Sequence, residues 1–468
     1  MADLQWSGYY RIEGFHIANS EMDKRAREKT YGMHHLVLTP KIVAADGLTI
    51  HTRFDIFNYD RYPNSALGQV WGLGVDSIGK DDANAGADAS KFYSRNQRFG
   101  DVRVNLLYLT YDHEFGSLIV GRAPLQFGLG MNLNAGLGSF DHFLENRDLI
   151  GYKIVMGNLM IFPMIAKIDE GGFGSPANDI TEFIAQFQFL SPDSGLELSG
   201  YYMDRTAGVE STINDTPAGT GFIPFDNATP VAGRAANTKQ YGVFFQKDSE
   251  TFRGGFELGV INGSTAYQDG SGRRINVSSY GIATEVEWKP MGSKWSILGK
   301  LGYASGDDPN TSDYEGYIFN RNYDVAFLMF NHPLGRGDFM RTGMIGGHPA
   351  RTNSPGATPR TASDEPDIEA ISNVLYLAPQ IQYKWNDRWS LMGTLAAGYL
   401  NENFQANISN DKSLGFEFDF AVHFRPNERV TWINQVGLLT PGNAFRGGSN
   451  NFDTNFVYGF ASRAAISF

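Results

Sequence analysis

The chain has 468 residues with 54 Gly, 34 Phe, 22 Tyr, 7 Trp and no Cys, and a formal net charge of -12. The lack of Cys excludes disulfides, thiolate nucleophiles and zinc-thiolate sites, and the acidic balance disfavours nucleic acid as a partner, because phosphate binding is driven by basic surface. Mean hydropathy is negative, and the longest apolar run, Leu159 to Ala166, falls far short of the ~20 residues a membrane-spanning helix needs, so any crossing must be made by strands.

Met1 to Ser7 has neither a basic start nor an apolar stretch, as expected of a mature chain without a secretory signal, and Trp6 opens an alternating strand. From there, segments of about ten residues alternate with connections that are short, then long. Short turn signals built from Gly, Asp, Asn and Pro stand at 45–47, 113–116, 157–158, 191–195, 248–250, 289–293, 386–388 and 426–428. These turns join strands in pairs and, with the first and last strands, bring the total to about eighteen, with sixteen as the fallback. The longer connections run at 20–33, 58–100, 123–147, 168–179, 205–237, 262–274, 307–370, 401–411 and 440–453. No repeat or linker divides the chain, so one domain spans 1–468. The expected fold is all-β: a closed antiparallel transmembrane β-barrel with short periplasmic turns and long extracellular loops, of which 58–100 and 307–370 are long enough to form caps.

Several strands separate two faces. Leu48, Ile50, Thr52, Phe54 and Ile56 alternate with Thr49, His51, Arg53, Asp55 and Phe57, and Leu414, Phe416, Phe418, Phe420, Val422 and Phe424 oppose Gly415, Glu417, Asp419, Ala421, His423 and Arg425. Trp288, Trp295, Trp385 and Trp389 flank two short turns, the place of an interfacial girdle. Pro163 and Pro379 fall inside strands of a barrel that has no free edge, so each implies a bulge or an early strand end. Val430 to Leu439 has no clean alternation.

At the far end Phe456, Tyr458, Phe460, Ala464, Ile466 and Phe468 share one face, interrupted only by Ser462. This segment resembles the closing strand of bacterial outer-membrane β-barrel proteins, in which a terminal Phe is the mark read by the assembly machinery. The resemblance implies an integral protein of the bacterial outer membrane, in contact with its lipids, and the acidic balance suits divalent-ion bridging to an anionic glycolipid such as lipopolysaccharide. Pro124 to Asp148 resembles, by position, the third loop of porins, which folds into the lumen and narrows it. Gln126, Asn132, Asn134, Asp141, His142, Glu145 and Arg147 are then the residues of a constriction loop at 123–147. The chain gives its own reason for such a loop. If Arg122 faces the lumen, so do Leu118 and Val120, and Arg103 likewise places Leu107 and Leu109 inside. Apolar area facing water is unfavourable by roughly 25 cal/mol per Å2, and Leu125, Phe127, Leu129, Met131 and Leu133 are the nearest cover. The alternative is a bulge that turns those residues toward lipid.

By register, Arg11, Arg53, Arg103, Arg122, Lys153 and Arg463 form a basic wall on neighbouring strands, and Glu182, Glu197, Glu257, Glu285, Glu287, Glu417 and Asp419 an acidic wall. Opposed charge across a narrow channel orients dipolar solutes; the bland alternative is local pairing, as of Arg11 with Glu13 or Arg53 with Asp55. Tyr9, Tyr111, Tyr201 and Tyr376 could stack sugar rings or simply fill space. Tyr303 to Pro309 resembles a segment of alginate-export-type porins, which are eighteen-stranded; that family conducts a polyanion through a basic lumen, whereas this interior reads as mixed. Asp307, Asp308, Asp313 and Glu315 offer hard oxygens to calcium in the loops, without the glycine-centred spacing of a calcium-binding loop. His34 and His35 point to opposite faces and cannot easily chelate one metal. Ser139, Asp141 and His142 are a close Ser/His/Asp grouping whose spacing matches no catalytic motif.

The function expected is a non-enzymatic porin without cofactors, passing small hydrophilic solutes and ions by passive diffusion. The alternative is a substrate-selective channel for sugars or polysaccharide export. A homotrimer, with the second loop reaching a neighbour, and a monomer both fit the chain.

Overall fold

The computed structural model describes residues 3–20, 22, 28–56, 58, 66–71, 102–169, 179–208, 229–231, 234–308, 310–335, 369–402, 411–446 and 456–468. Eighteen antiparallel strands close into a single barrel. Strand β1 runs as Asp3–Gln5 and Gly8–Ala18, and β2 as Glu28–Leu38 and Lys41–Ala45; each pair of pieces keeps one register, since Gln5 faces Lys41 and Gly8 faces Leu38. There follow β3 (Leu48–Ile56), β4 (Val102–His113), β5 (Gly116–Pro124), β6 (Asn146–Met156), β7 (Leu159–Asp169), β8 (Ile180–Ser191) and β9 (Leu196–Ala207). The second half holds β10 (Ala236–Asp248), β11 (Phe252–Gln268), β12 (Arg274–Trp288), β13 (Trp295–Ala304), β14 (Val374–Lys384), β15 (Trp389–Leu400), β16 (Ser413–Asn427), β17 (Val430–Pro441) and β18 (Val457–Ser467). Tyr9 to Ala18 on β1 pair with Ser467 to Tyr458 on β18. Closure leaves no edge, so the strands satisfy one another's backbone groups.

Tight turns gather at one rim, where Gly47 and Gly157 take the left-handed backbone (φ 70° and 58°) that a short hairpin requires. The long connections leave from the other rim, though β2 begins at Glu28 and β11 runs on to Gln268, inside segments read from sequence as loop.

Outside, apolar side chains form a continuous belt. On β16, Phe416, Phe418 and Phe420 are 62%, 48% and 41% exposed, while the intervening Glu417 and Asp419 are buried inside. In water such a column would drive aggregation; in a bilayer it is the required surface. Trp288, Trp295, Trp385 and Trp389 are exposed along the tight-turn rim, two of them packed against Tyr383 and Phe424 with ring centroids 4.4 and 4.3 Å apart. This is an interfacial girdle.

Four local departures explain where alternation misleads. Asn105 is skipped between the pairs Arg53–Leu106 and Phe54–Val104, a bulge that reverses the faces of β4. Arg103 therefore faces inward, but Leu107, Leu109 and Tyr111 face outward, as do their ladder partners Arg122, Val120 and Leu118 on β5. Pro163 and Pro379 produce neither a bulge nor an early end; on one side the ladder omits the proline and its predecessor and resumes in the same register. Gly415 (φ 97°) sits at a register shift that turns Leu414 inward, against the strict alternation of that strand. In β17, outward Asn434 accepts from Ser462 Oγ at 2.9 Å, and Trp432 Nε1 donates to the same hydroxyl at 2.9 Å. Mutual pairing of polar groups on the outer face is what blurs that strand's pattern.

Candidate functional site

The lumen is filled by two inward loops rather than one. Loop L3 (residues 125–145) folds on itself through Phe127 N to Leu133 O at 2.9 Å, with Gln126 Oε1 accepting from Ala135 N at 2.9 Å and Asn134 Oδ1 from Gly136 N at 3.0 Å. Its apolar residues Leu125, Phe127 and Leu133 are buried with Leu149, Phe162, Met164, Ile184, Met203 and Phe244 on the inner face of β6 to β10. The wall that L3 covers is therefore not Leu107, Leu109, Leu118 and Val120, which the bulge turns outward.

Loop L7 joins β13 to β14, and its residues 314–335 lie inside the barrel rather than capping it. Tyr317, Phe319, Tyr323 and Val325 to Phe330 form one core with Phe15, Met33, Met131, Phe143, Tyr376 and Leu439. Burying each such side chain contributes about 1.5–3 kcal/mol, so the run Phe327 to Phe330 is far more stable against the wall than in water. L7 also grips L3: Asn322 Oδ1 accepts from His142 N at 3.0 Å and Phe143 N at 3.1 Å, and Asn320 N donates to Met131 O at 2.7 Å.

Most wall charges that register places on the inner face hold these loops. Arg11, fully buried, pairs with Glu13 at 2.7 Å and donates to Asp141 O at 2.8 Å, Ala66 O at 2.6 Å and Leu67 O at 2.9 Å. Arg53, also buried, pairs with Asp55 at 3.1 Å and donates to Gly136 O at 2.9 Å. Opposite, the buried Glu257 carboxylate accepts from Asn132 N at 2.9 Å, Asn132 Nδ2 at 2.6 Å and Met131 N at 3.3 Å. Glu417 accepts from Leu328 N at 2.5 Å and Met329 N at 2.6 Å, and Asp419 from Phe327 N at 2.9 Å. A buried carboxylate is costly unless donors converge on it, and loop backbone amides are those donors.

The two walls are corrected accordingly. Arg11, Arg53, Glu182, Glu257, Glu417 and Asp419 are at most 2% exposed and lie beneath loops or in ion pairs instead of lining an aqueous path. Glu182 is bound by Arg147 at 2.7 Å and Arg205 at 2.5 Å, and Glu145 by Arg147 at 2.6 Å. Arg122 is on the outer face, in a two-pronged pair with Asp148 at 2.7 Å and 2.7 Å. Arg103, Lys153, Arg463, Glu197, Glu285 and Glu287 keep inward positions with partial exposure. Arg463 donates to Gln435 at 3.0 Å and lies 5.6 Å over the Phe140 ring; Lys153 lies 5.8 Å over Phe162; Glu285 meets Lys300 at 3.2 Å; Glu197 accepts from Gln188 at 2.7 Å. Local pairing, the bland alternative, describes most of these groups.

Other candidates separate as well. Tyr9, Tyr201 and Tyr376 are buried and Tyr111 faces outward, so none presents a ring to solute. Ser139 O accepts from Arg11 at 3.3 Å, Asp141 Oδ2 from Gly138 N at 2.7 Å, and His142 meets Glu13 at 2.9 Å, so the Ser/His/Asp grouping has no internal relay. His34 lies outward against Tyr10 while His35 lies inward, 3.0 Å from Asp55. Asp307, Asp308, Asp313 and Glu315 turn to different partners: Asp307 accepts from Glu315 N at 3.0 Å, Asp308 from Asn310 N at 2.9 Å, and Asp313 pairs with Arg273 at 2.7 Å. Among the described residues no group of His, Asp and Glu is arranged to hold a metal. Most of 58–100, and 336–368 of the seventh loop, lie outside the described residues.

Sequence reasoning missed the inward glycines. A Cβ on Gly259 would stand 2.0 Å from Asn132 and Tyr317, one on Gly281 2.4 Å from Tyr317, and ones on Gly437 and Gly459 2.7 Å from Phe327 and Leu328. These glycines hollow the wall where the loops seat. The available signal is glycine at inward parity beside an inward acid, as in Gly255, Glu257 and Gly259.

No family model and no curated protein matches the sequence. Among solved structures the chain is similar to OccK9 (OpdG) of Pseudomonas aeruginosa, at 11% identity and TM-score 0.52, over 100% of this chain and 98% of that one. It is also similar to a BenF-like porin from Pseudomonas fluorescens Pf-5 (9% identity, TM-score 0.48, 100% and 98% covered) and to an anion-selective porin from Comamonas acidovorans (10%, 0.44, 100% and 100%). What this chain shares with the first of these is its fold, a closed antiparallel β-barrel.

Proposed function

We propose that the chain is an outer-membrane channel that passes small hydrophilic solutes and ions passively, without bond making. The observation that carries this reading is a closed barrel with an apolar exterior and a charged interior whose lumen is narrowed by L3 and L7 together. Size exclusion acts first, and the partly exposed Arg103, Lys153, Arg463, Glu197, Glu285 and Glu287 act on what enters. Because two loops occupy the bore, the substrate-selective reading is favoured over general diffusion. A polymer path is disfavoured, since the apolar L7 run crosses the route a polysaccharide would need. Planar-bilayer recording of the reconstituted protein with salts and a panel of sugars tests both. Small, sugar-blockable conductance with saturation supports a selective channel; large conductance unaffected by sugars supports free diffusion; and an absence of conductance rejects the channel.

Lipopolysaccharide fits as a neighbour of an acidic exterior bridged by divalent ions. A homotrimer fits the wall from β18 to β6, whose outer face carries Ser462, His16, Thr30, His34 and the Arg122–Asp148 pair amid the apolar belt. Polar groups are cheaper against protein than against lipid tails. The mass of the detergent-solubilised particle distinguishes three copies from one.

A further inference from the structure

The L7 tip, Phe327 to Phe330, is held by two wall carboxyl groups and a row of glycines. Its first three residues donate their backbone N–H groups to only two side chains, Asp419 (2.9 Å) and Glu417 (2.5 and 2.6 Å), which stand two residues apart on one face of β16. Its side chains sit over glycines. A Cβ on Gly437 would lie 2.7 Å from Phe327 Cδ1, one on Gly459 2.7 Å from Leu328 Cδ2, and one on Gly398 3.0 Å from Met329 Sδ.

Apolar burial holds this tip in place, and two features weaken its seat. Among the described residues Glu417 and Asp419, like Glu257 under L3, form no ion pair, whereas Glu13, Asp55 and Glu182 each have an arginine, and only here do two such acids stand side by side. Asp419 Oδ1 accepts from none of the loop amides and has the Glu417 carboxyl as its neighbour, so part of the cost of burying two acids side by side stays uncompensated. The wall behind the tip is also complete without it. The β16–β17 ladder runs unbroken through Phe418–Leu438, Asp419–Gly437 and Phe420–Val436, so withdrawing the tip breaks no strand hydrogen bond. Withdrawal also gives the two carboxylates water in place of three amides.

We propose that Phe327 to Phe330 is a removable stopper, and that Glu417 and Asp419, with the glycine seat of Gly398, Gly437 and Gly459, are the positioning residues that set the effective bore of the channel. This rests on the channel reading above. The seat holds the stopper by shape and by amide acceptance, and filling or neutralising it widens the path without disturbing the barrel.

The test uses the full chain in planar bilayers, with heat-modifiable gel mobility confirming the barrel in each variant. Gly437→Val with Gly459→Val fills the seat and is expected to raise unit conductance severalfold and to admit larger sugars in liposome swelling. Glu417→Ala with Asp419→Ala is expected to raise it too, and Glu417→Gln with Asp419→Asn, which keep one acceptor oxygen each, to raise it less. A second arm does not depend on emptying the seat. Leu328 Cγ lies 3.1 Å from where a Cβ on Gly437 would stand, within disulfide reach, and the chain has no other thiol. Leu328→Cys with Gly437→Cys should conduct less when oxidised than when reduced. Folded seat variants with wild-type conductance, or a cysteine pair indifferent to reductant, overturn the stopper. No conductance from wild type or any variant overturns the channel reading instead.

Discussion

Arg53 shows what a charged residue in this lumen is for. Its guanidinium serves Asp55 and the Gly136 carbonyl of L3, and the same carboxylate takes Asn105 Nδ2 at 2.7 Å. Removing one partner of a buried pair leaves the other charged and unsatisfied, a loss of about 3–5 kcal/mol, while removing both with apolar groups is often far cheaper. Arg53→Leu is expected to lower the urea midpoint of barrel unfolding, followed by tryptophan fluorescence, by several kcal/mol equivalent. Arg53→Leu with Asp55→Leu should recover part of that loss, since His35 and Asn105 then lose the acceptor they share. A double variant less stable than the single one would mean that Asp55 serves His35 and Asn105 more than Arg53. At this scale the sequence was only half legible. Parity placed Arg53 and Asp55 inside and offered their pairing, but nothing local to β3 reveals a carbonyl from L3, because that contact spans 83 positions.

At the scale of the element, the tight turns were the most legible feature, since hairpins demand particular backbone angles and so particular residues. The Phe column of β16 was legible too, because a period of two shows plainly when one face meets lipid. β4 was not. Its bulge at Asn105 flips every later side chain, and one skipped residue leaves no compositional trace. Deleting Asn105 should let the ladder run unbroken with every face kept and Arg103 still inward, since Val104 and Leu106 already face the consecutive residues Phe54 and Arg53. We expect that deletion to retain the folded, heat-modifiable form at reduced stability, because Asn105 also bonds Asp55 and Asn146, whereas deleting Leu107 should abolish it; loss of the heat-modifiable form on deleting Asn105 would show that it is not the bulged residue. L7 was misread for a related reason. Phe327, Leu328, Met329 and Phe330 are too apolar for an exposed cap, and the glycines that receive them belong to strands about 70 to 130 positions away.

For the whole molecule, the charged interior divides into groups that hold loops and groups left for solute. Of the basic residues singled out by register, Arg11 and Arg53 are buried and Arg122 is outside, which leaves Arg103, Lys153 and Arg463. Arg463→Gln is therefore expected to shift the reversal potential in a salt gradient toward cation selectivity, while Arg122→Gln should leave it unchanged. A shift of equal size from Arg122→Gln would place that side chain in the ion path and contradict the β4 bulge.

The ladder between β1 and β18 bears on how the protein is made. Tyr9 faces Ser467, a contact that joins the first and last of the eighteen strands. Until β18 has been made, β1 has one neighbour at most and an open row of backbone donors and acceptors on its other side. Such distant pairing is slow to form and leaves intermediates prone to stick to one another. The nascent chain must then be kept apart from its copies by escorting factors until its last strand arrives, and a polypeptide shortened by that one strand would stay a dependent of those factors and go to proteolysis.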